Sequence, residues 1–174
     1  MIALYIIAGI VLFILILHLV APKDFKVSRS ILINMPLEKV YNSLRSLKQQ
    51  QEWSVWGKRD PEIKIEISGI DGEIASMQRW KGNKDVGEGE QELTKLIPME
   101  RIETELRFIK PWKITNTGFF DLKQQADGVM VTWGFWGKNK FPFSILMLFM
   151  NMDKAIGKDF EEGLSNFKVF IEKE

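Results

Sequence analysis

Residues Phe149–Glu172 read FMNMDKAIGKDFEEGLSNFKVFIE, and the spacing of their apolar side chains governs how the rest of the chain is read. Phe149, Met152, Ile156, Phe160, Gly163, Phe167 and Phe170 recur every three or four residues, the interval that gathers side chains on one face of an α-helix. Asp159, Glu161, Glu162 and Lys168 fill the outer face. The pattern predicts one long helix over about residues 144–172, in which Gly157 and Gly163 weaken the helix and allow a bend. Its apolar stripe needs a surface to lie on, and the preceding residues supply one.

Between Pro61 and Gly137 the apolar period falls to two, the period of strands. EIKIEIS puts Ile63, Ile65 and Ile67 on one face, and MERIETELRFIK does the same with Ile102, Thr104, Leu106 and Phe108. EIASMQRWK, VGEGEQELTKLI, KITNTGFFDLKQQ and VMVTWGFWG complete a run of six strands. Asp71-Gly72 predicts a tight hairpin between the first two, and Ala126-Asp127-Gly128 a turn between the last two. Ahead of them, FKVSRSILI reads as a strand, and NMPLEKVYNSL as a helix with Asn34 as N-cap and Pro36 in its first turn. A second short helix covers part of SLKQQQEWSVW. Strand, two helices, six strands and a long helix describe an α+β chain: a seven-stranded antiparallel sheet that must curve around one helix, leaving room for a ligand between them.

The first twenty residues, MIALYIIAGIVLFILILHLV, carry no charged side chain. At about 1.5 Å per residue they span about 30 Å, the hydrocarbon thickness of a bilayer. No Lys or Arg precedes the run, and Leu19 occupies the place of a small residue before the only candidate cleavage point, after Ala21. The reading is therefore an uncleaved anchor over residues 1–21 and a domain over 22–174, with a removed signal peptide as the rival. Lys23, Lys26 and Arg29, against Asp24 alone, put the domain on the cytoplasmic side of a single-pass protein.

Composition narrows the chemistry. With 24 Lys+Arg against 23 Asp+Glu, the chain lacks the concentrated basic charge of a nucleic-acid binder. It has no cysteine, and its one histidine, His18, lies in the apolar N-terminus. Cys- and His-based triads are excluded from the domain, zinc sites would have to be all-carboxylate, and no cofactor or metal is expected. Gly87-Glu88-Gly89 is not a phosphate loop, since neither Lys-Ser/Thr nor a helix follows. Glu88 and Glu90 share a strand face and read as solvated charge at a sheet edge.

Six tryptophans, at 53, 56, 80, 112, 133 and 136, exceed what one core needs and suit the wall of a broad apolar space. Trp56, Trp80 and Trp133 are the candidate wall residues, with Phe108 on the sheet and Met152 and Ile156 on the helix. Ser76, Gln78, Thr104 and Asn116 fall on inward strand faces; Gln78, Thr104 and Asn116 are the candidates for orienting a ligand. FPFSILMLFM, residues 141–150, is apolar on all sides: a buried helix start, a gate, or a patch touching the bilayer beside Lys138 and Lys140.

VSRSILINMPLEKVYNSL, EWSVWGKRDP, GEGEQELTKLIP, VTWGFWG and MDKAIGKDFEEGLSNFKVFIE, in that order and spacing, resemble the START-like superfamily, also called the polyketide cyclase/dehydrase or birch-pollen-allergen-like superfamily. The resemblance covers about residues 25–173 and implies the helix-grip fold. It further implies a cavity for lipids, sterols, polyketides or plant hormones, and in some members cyclisation. A membrane-tethered binder of an apolar small molecule or lipid is the leading expectation. A cyclase- or dehydratase-like enzyme and a groove that takes a peptide or partner helix are the alternatives.

Overall fold

The computed structural model describes residues 1–173. Helix α1 (Ile2–Val20) is followed by β1 (Asp24–Ile33) and three short helices, α2 (Leu37–Arg45), α3 (Leu47–Trp53) and α4 (Val55–Arg59). Six strands come next: β2 (Lys64–Ser68), β3 (Met77–Lys81), β4 (Glu88–Ile97), β5 (Arg101–Lys110), β6 (Ile114–Gln125) and β7 (Gly128–Lys138). The chain closes with α5 (Phe143–Leu146) and α6 (Met152–Lys173). All seven strands form one antiparallel sheet in the order β1-β7-β6-β5-β4-β3-β2, so β1 crosses to the far side of the meander. This is the helix-grip arrangement expected from the sequence, with one apolar N-terminal helix before it.

Alternation decides which face meets α6. Ile33, Val129, Val131, Leu122, Ile102 and Leu93 line the concave side and pack with Leu164, Phe167 and Ile171 of α6 and Val40, Leu44 and Leu47 of α2 and α3. In β4 the register with β5 slips at Thr94, which stands opposite no partner. Such a bulge bends a strand, and here it helps the sheet wrap the helix. Gly163 lets α6 approach closely: a Cβ there would press into the Trp133 indole, meeting Cη2 at 3.2 Å.

The convex face is charged and internally paired. Arg107 donates to Glu90, Glu92 and Glu105, and Arg101 to Glu103 and Asp121. Phe119 points to this side yet is buried, with Lys26 and Arg101 lying over its ring. Glu88 and Glu90 belong here too. The edge expected for them is corrected: β4 is flanked by β3 and β5, and their charge is matched by Lys110 and by Arg107 and Arg79.

Four further expectations are revised. Asn34 is not the N-cap of α2; Pro36 holds that place, and the Asn34 N–H donates to Glu172 at 2.9 Å. The single helix expected after α2 is two, because Ser46 and Ser54 each accept from a backbone N–H and start a new turn. Asp71-Gly72 is not a tight hairpin turn, since residues 69–76 form the connection. Asp71 accepts instead from the Leu47 N–H at 2.7 Å and from Ser46 Oγ at 2.6 Å, so it caps α3. The long C-terminal helix breaks at residues 147–151 and not at its glycines. Asn151 Oδ1 accepts from the Lys154 N–H at 3.0 Å and restarts the helix.

Strand register also fixes what lies at each end of the sheet. Asp24 pairs with Lys138, Ile114 with Phe108, Lys110 with Glu88 and Lys81 with Lys64. These pairs mark one end, and α6 begins there, where Arg29 holds Asp153 at 2.7 Å and Glu161 at 2.6 Å. At the other end, Glu172 meets Asn34. The C-terminus of α1 leads into β1 at the first end, with Ala21 buried and the Asn139 N–H donating to Lys23 O at 2.8 Å.

Gly→Ala inside a helix ordinarily stabilises by up to about 1 kcal/mol. Gly163→Ala should instead destabilise by about 1–3 kcal/mol through overpacking on Trp133, and should revert to stabilising in a Trp133→Leu background, as read by urea unfolding. Hydrogen bonds from Lys110, Arg107 and Arg29 hold the Glu88, Glu90 and Asp153 carboxyls below the usual carboxylate range. Their folded pKa values lie below the unfolded ones of about 4, so the stabilisation is present above that pH and lost as pH falls through the folded values. The urea midpoint should therefore drop on acidification below about pH 5, with a smaller drop for Arg107→Gln.

Candidate functional site

The concave face is not filled along its whole length. A cavity of about 270 Å³ lies between sheet and helix, toward the end where β1 and α6 begin. At about 30 Å³ per water it has room for about nine waters, near the lower bound for small-molecule sites. Its floor is made by buried side chains: Trp53 from α3, Thr104 from β5, Phe120 from β6, Phe135 from β7 and Phe160 from α6. Its rim is half-buried: Trp56 of α4, Ile63, Ile65 of β2, Trp80 of β3, Phe108 of β5 and Ile156 of α6.

Trp133 divides this space from the dry core. Its indole stacks on Phe120 with centroids 5.5 Å apart and meets Phe160 at 4.6 Å, Trp53 at 5.3 Å and Trp56 at 6.1 Å. The two rings of EWSVW therefore have different tasks. Trp53 is almost wholly buried behind Trp133, while Trp56 stands at the rim with Arg59 over its face. Trp80 can lie against the sheet because Gly89 faces it across the strands: a Cβ there would come within 2.6 Å of the indole Cη2. Phe108 meets the Trp80 ring edge-on at 5.7 Å.

The polar part of the wall is a set of glutamines. Gln51 Nε2 donates to Gln78 Oε1, Gln91 Nε2 donates to Gln50 Oε1 at 3.1 Å, and Gln50 Nε2 donates to the Leu44 carbonyl at 2.7 Å. All four line the cavity. Gln50, Gln51 and Gln91 escaped the sequence reading. Nothing in the Gln49–Gln51 run marks one side as inward; the packing of α3 on α2 and α6 turns Gln50 and Gln51 toward Gln91 and Gln78. The acidic residue in the lining, Asp159, is held by both terminal nitrogens of Arg59.

Of the residues singled out from sequence, Trp56, Gln78, Trp80, Thr104, Phe108, Trp133 and Ile156 all line this cavity. Two do not. Asn116 is buried on the same face, but β7 presents Gly137 beside it, and the amide fills that slot beneath Phe25; its Oδ1 has no partner. Met152 lines a neighbouring hollow of about 380 Å³ with Pro22, Phe25, Asn139 and Leu148; as the first residue of α6 it is half-buried and packs on the Val27–Phe135–Phe160 cluster. The Ile74/Ser76 alternation is also broken. Ile74 is exposed and Ala75 takes a positive φ of 69°, so β3 starts only at Met77.

No family model matches the chain, and no curated protein matches it by sequence. Solved structures do. The di-domain ARO/CYC protein StfQ of the steffimycin biosynthetic pathway superposes with a TM-score of 0.63 at 12% identity, covering 87% of this chain and 51% of StfQ. The chain thus spans about half the length of StfQ. The helix-grip fold of these structures is the fold of this chain. Protein CV1439 from Chromobacterium violaceum matches at TM-score 0.60 and 12% identity, covering 87% of this chain and 98% of its own. A major latex-like protein from Panax ginseng matches at 0.58 and 10%, covering 86% and 98%. Within this helix-grip fold the space between sheet and C-terminal helix is the one lined by the aromatic residues above.

Proposed function

We propose that the chain binds an apolar small molecule or lipid between sheet and α6, while α1 holds the domain at a membrane. The observation that carries the reading is the cavity itself: a hollow walled by Trp56, Trp80, Leu106, Phe108, Phe120 and Trp133, with the glutamine set as its polar wall. An apolar ligand that loses about 250 Å² of surface there gains about 6 kcal/mol at 25 cal/mol per Å², before the cost of association. Glutamine amides and the Thr104 hydroxyl can orient one polar end without carrying charge. The enzymatic alternative needs a cavity carboxylate free to take a proton, whereas Asp159 is tied to Arg59, which favours binding.

Helix α1 is long and apolar enough to cross a membrane, and apart from half-buried Leu17 and His18 at its end it is exposed. A buried core helix would be covered, so anchor and signal sequence are the readings left. The anchor is favoured because the end of α1 is built into the domain: His18 Nδ1 shares a hydrogen with Ser144 Oγ at 2.9 Å, and the His18 ring meets Phe141 edge-on at 5.4 Å. Lys23, Lys26 and Arg29 favour a cytoplasmic domain.

Leu106→Trp should fill the cavity, cut retention of a copurified apolar molecule at least tenfold and leave the melting temperature unchanged or higher. Native mass spectrometry of the full chain released from lipid nanodiscs reads the first, and a thermal melt the second. Equal retention in wild type and variant would remove the cavity from the function.

A further inference from the structure

The surface around the break between α5 and α6 is apolar and uncovered. Phe141, Leu146, Phe149 and Met150 are 58%, 47%, 77% and 44% exposed. Trp112, on the β5–β6 connection, is 60% exposed and meets Phe143 edge-on at 5.4 Å. So many large apolar side chains on two separate elements form a patch that water alone does not explain. Exposed Lys113, Lys138 and Lys140 flank it, with Lys23 and Asp24 at the base of α1.

We propose that this patch rests in the headgroup region of the bilayer that α1 crosses, seating the cavity end of the grip against the membrane. Three observations select a bilayer as the occupant. The patch is continuous with the end of α1 through His18–Ser144 and His18–Phe141, so a spanning α1 brings residues 141–150 to the depth of its own last turn. Its chemistry is that of an interfacial contact, with Trp and Phe side chains bordered by lysines that meet anionic phosphates. It also lies at the sheet end marked by Asp24–Lys138 and Phe108–Ile114, the end that holds the half-buried cavity rim. Exposed Ile70 and Ile74, in the connection from β2 to β3, sit at the opposite end and face water. The consequence is orientational: α1 alone would let the domain swing, whereas α1 with the patch holds it in one pose.

The inference rests on α1 as an anchor and makes no use of a bound ligand, so it can fail separately from the cavity reading. The chain has no cysteine, which permits single-site labelling. Nitroxide labels at Phe149→Cys, Trp112→Cys and Ile74→Cys are compared in the full chain, reconstituted in phosphatidylcholine/phosphatidylglycerol bilayers. Power-saturation accessibility to oxygen and to a water-soluble nickel chelate reads their surroundings. Positions 149 and 112 should favour oxygen over the chelate by at least about tenfold relative to position 74, the apolar probe partitioning into lipid. Chelate access at 149 and 112 equal to that at 74 would overturn the proposal. Protection at those positions from both reagents would also overturn it, since that outcome means a second protein surface covers the patch.

Discussion

Trp133 seats its indole against the α6 backbone at Gly163, with Phe120 stacked beneath it and Trp53, Trp56 and Phe160 around it. That contact sets how closely the helix can approach the sheet and therefore where the dry core stops. On one side, Leu164, Phe167 and Ile171 meet Ile33, Ile102, Val129 and Val131 with nothing between them. On the other, the strands diverge from the helix and leave the cavity. A larger residue at 163 would lift α6 off the wall, and a smaller one at 133 would merge core and hollow.

The two ends of the grip are consequently different materials. The far end is closed by aliphatic packing, as expected of a part whose task is stability. The near end concentrates half-buried rings, the glutamine amides, the start of α6 and the junction with α1. Its polar groups are neutral amides and the hydroxyls of Ser54 and Thr104, and the Asp159 carboxylate in its lining is paired with Arg59. Neutral donors in an apolar wall suit a small, mostly apolar ligand with one polar end. On the proposed reading, a tether through α1 and a membrane-facing patch beside it would shorten the path of such a molecule from bilayer to cavity.

Much of this was legible in the residues because period and burial are tightly linked. The change from spacing of three and four to spacing of two marked the sheet region, most clearly in EIKIEIS and MERIETELRFIK, and the stripe through Ile156, Phe160, Gly163 and Phe167 marked the helix it grips. Wall residues on strands, such as Gln78, Thr104 and Phe108, could be placed because alternation fixes their face. What escaped depended on the third dimension. Asp71 looked like a turn residue, yet its carboxylate was recruited to cap a helix distant in sequence. Asn116 had the right face but a glycine neighbour that gave its amide a pocket of its own. Gln50 and Gln51 lie in a mostly polar helix whose inward side is set by its packing on α2 and α6, and only the fold brings Gln78 and Gln91 to meet them. Met152 was misplaced because an all-round apolar run gives no sign of where a helix stops and restarts.

A hollow persists beside Trp133 in the folded chain. Apolar cavities of this kind take up xenon. Crystals of the full chain grown from lipid and pressurised with xenon test it directly. Xenon bound between Trp80, Leu106 and Trp133 is the expected result. Those side chains collapsed onto one another, with no site for even a single atom, would contradict the account.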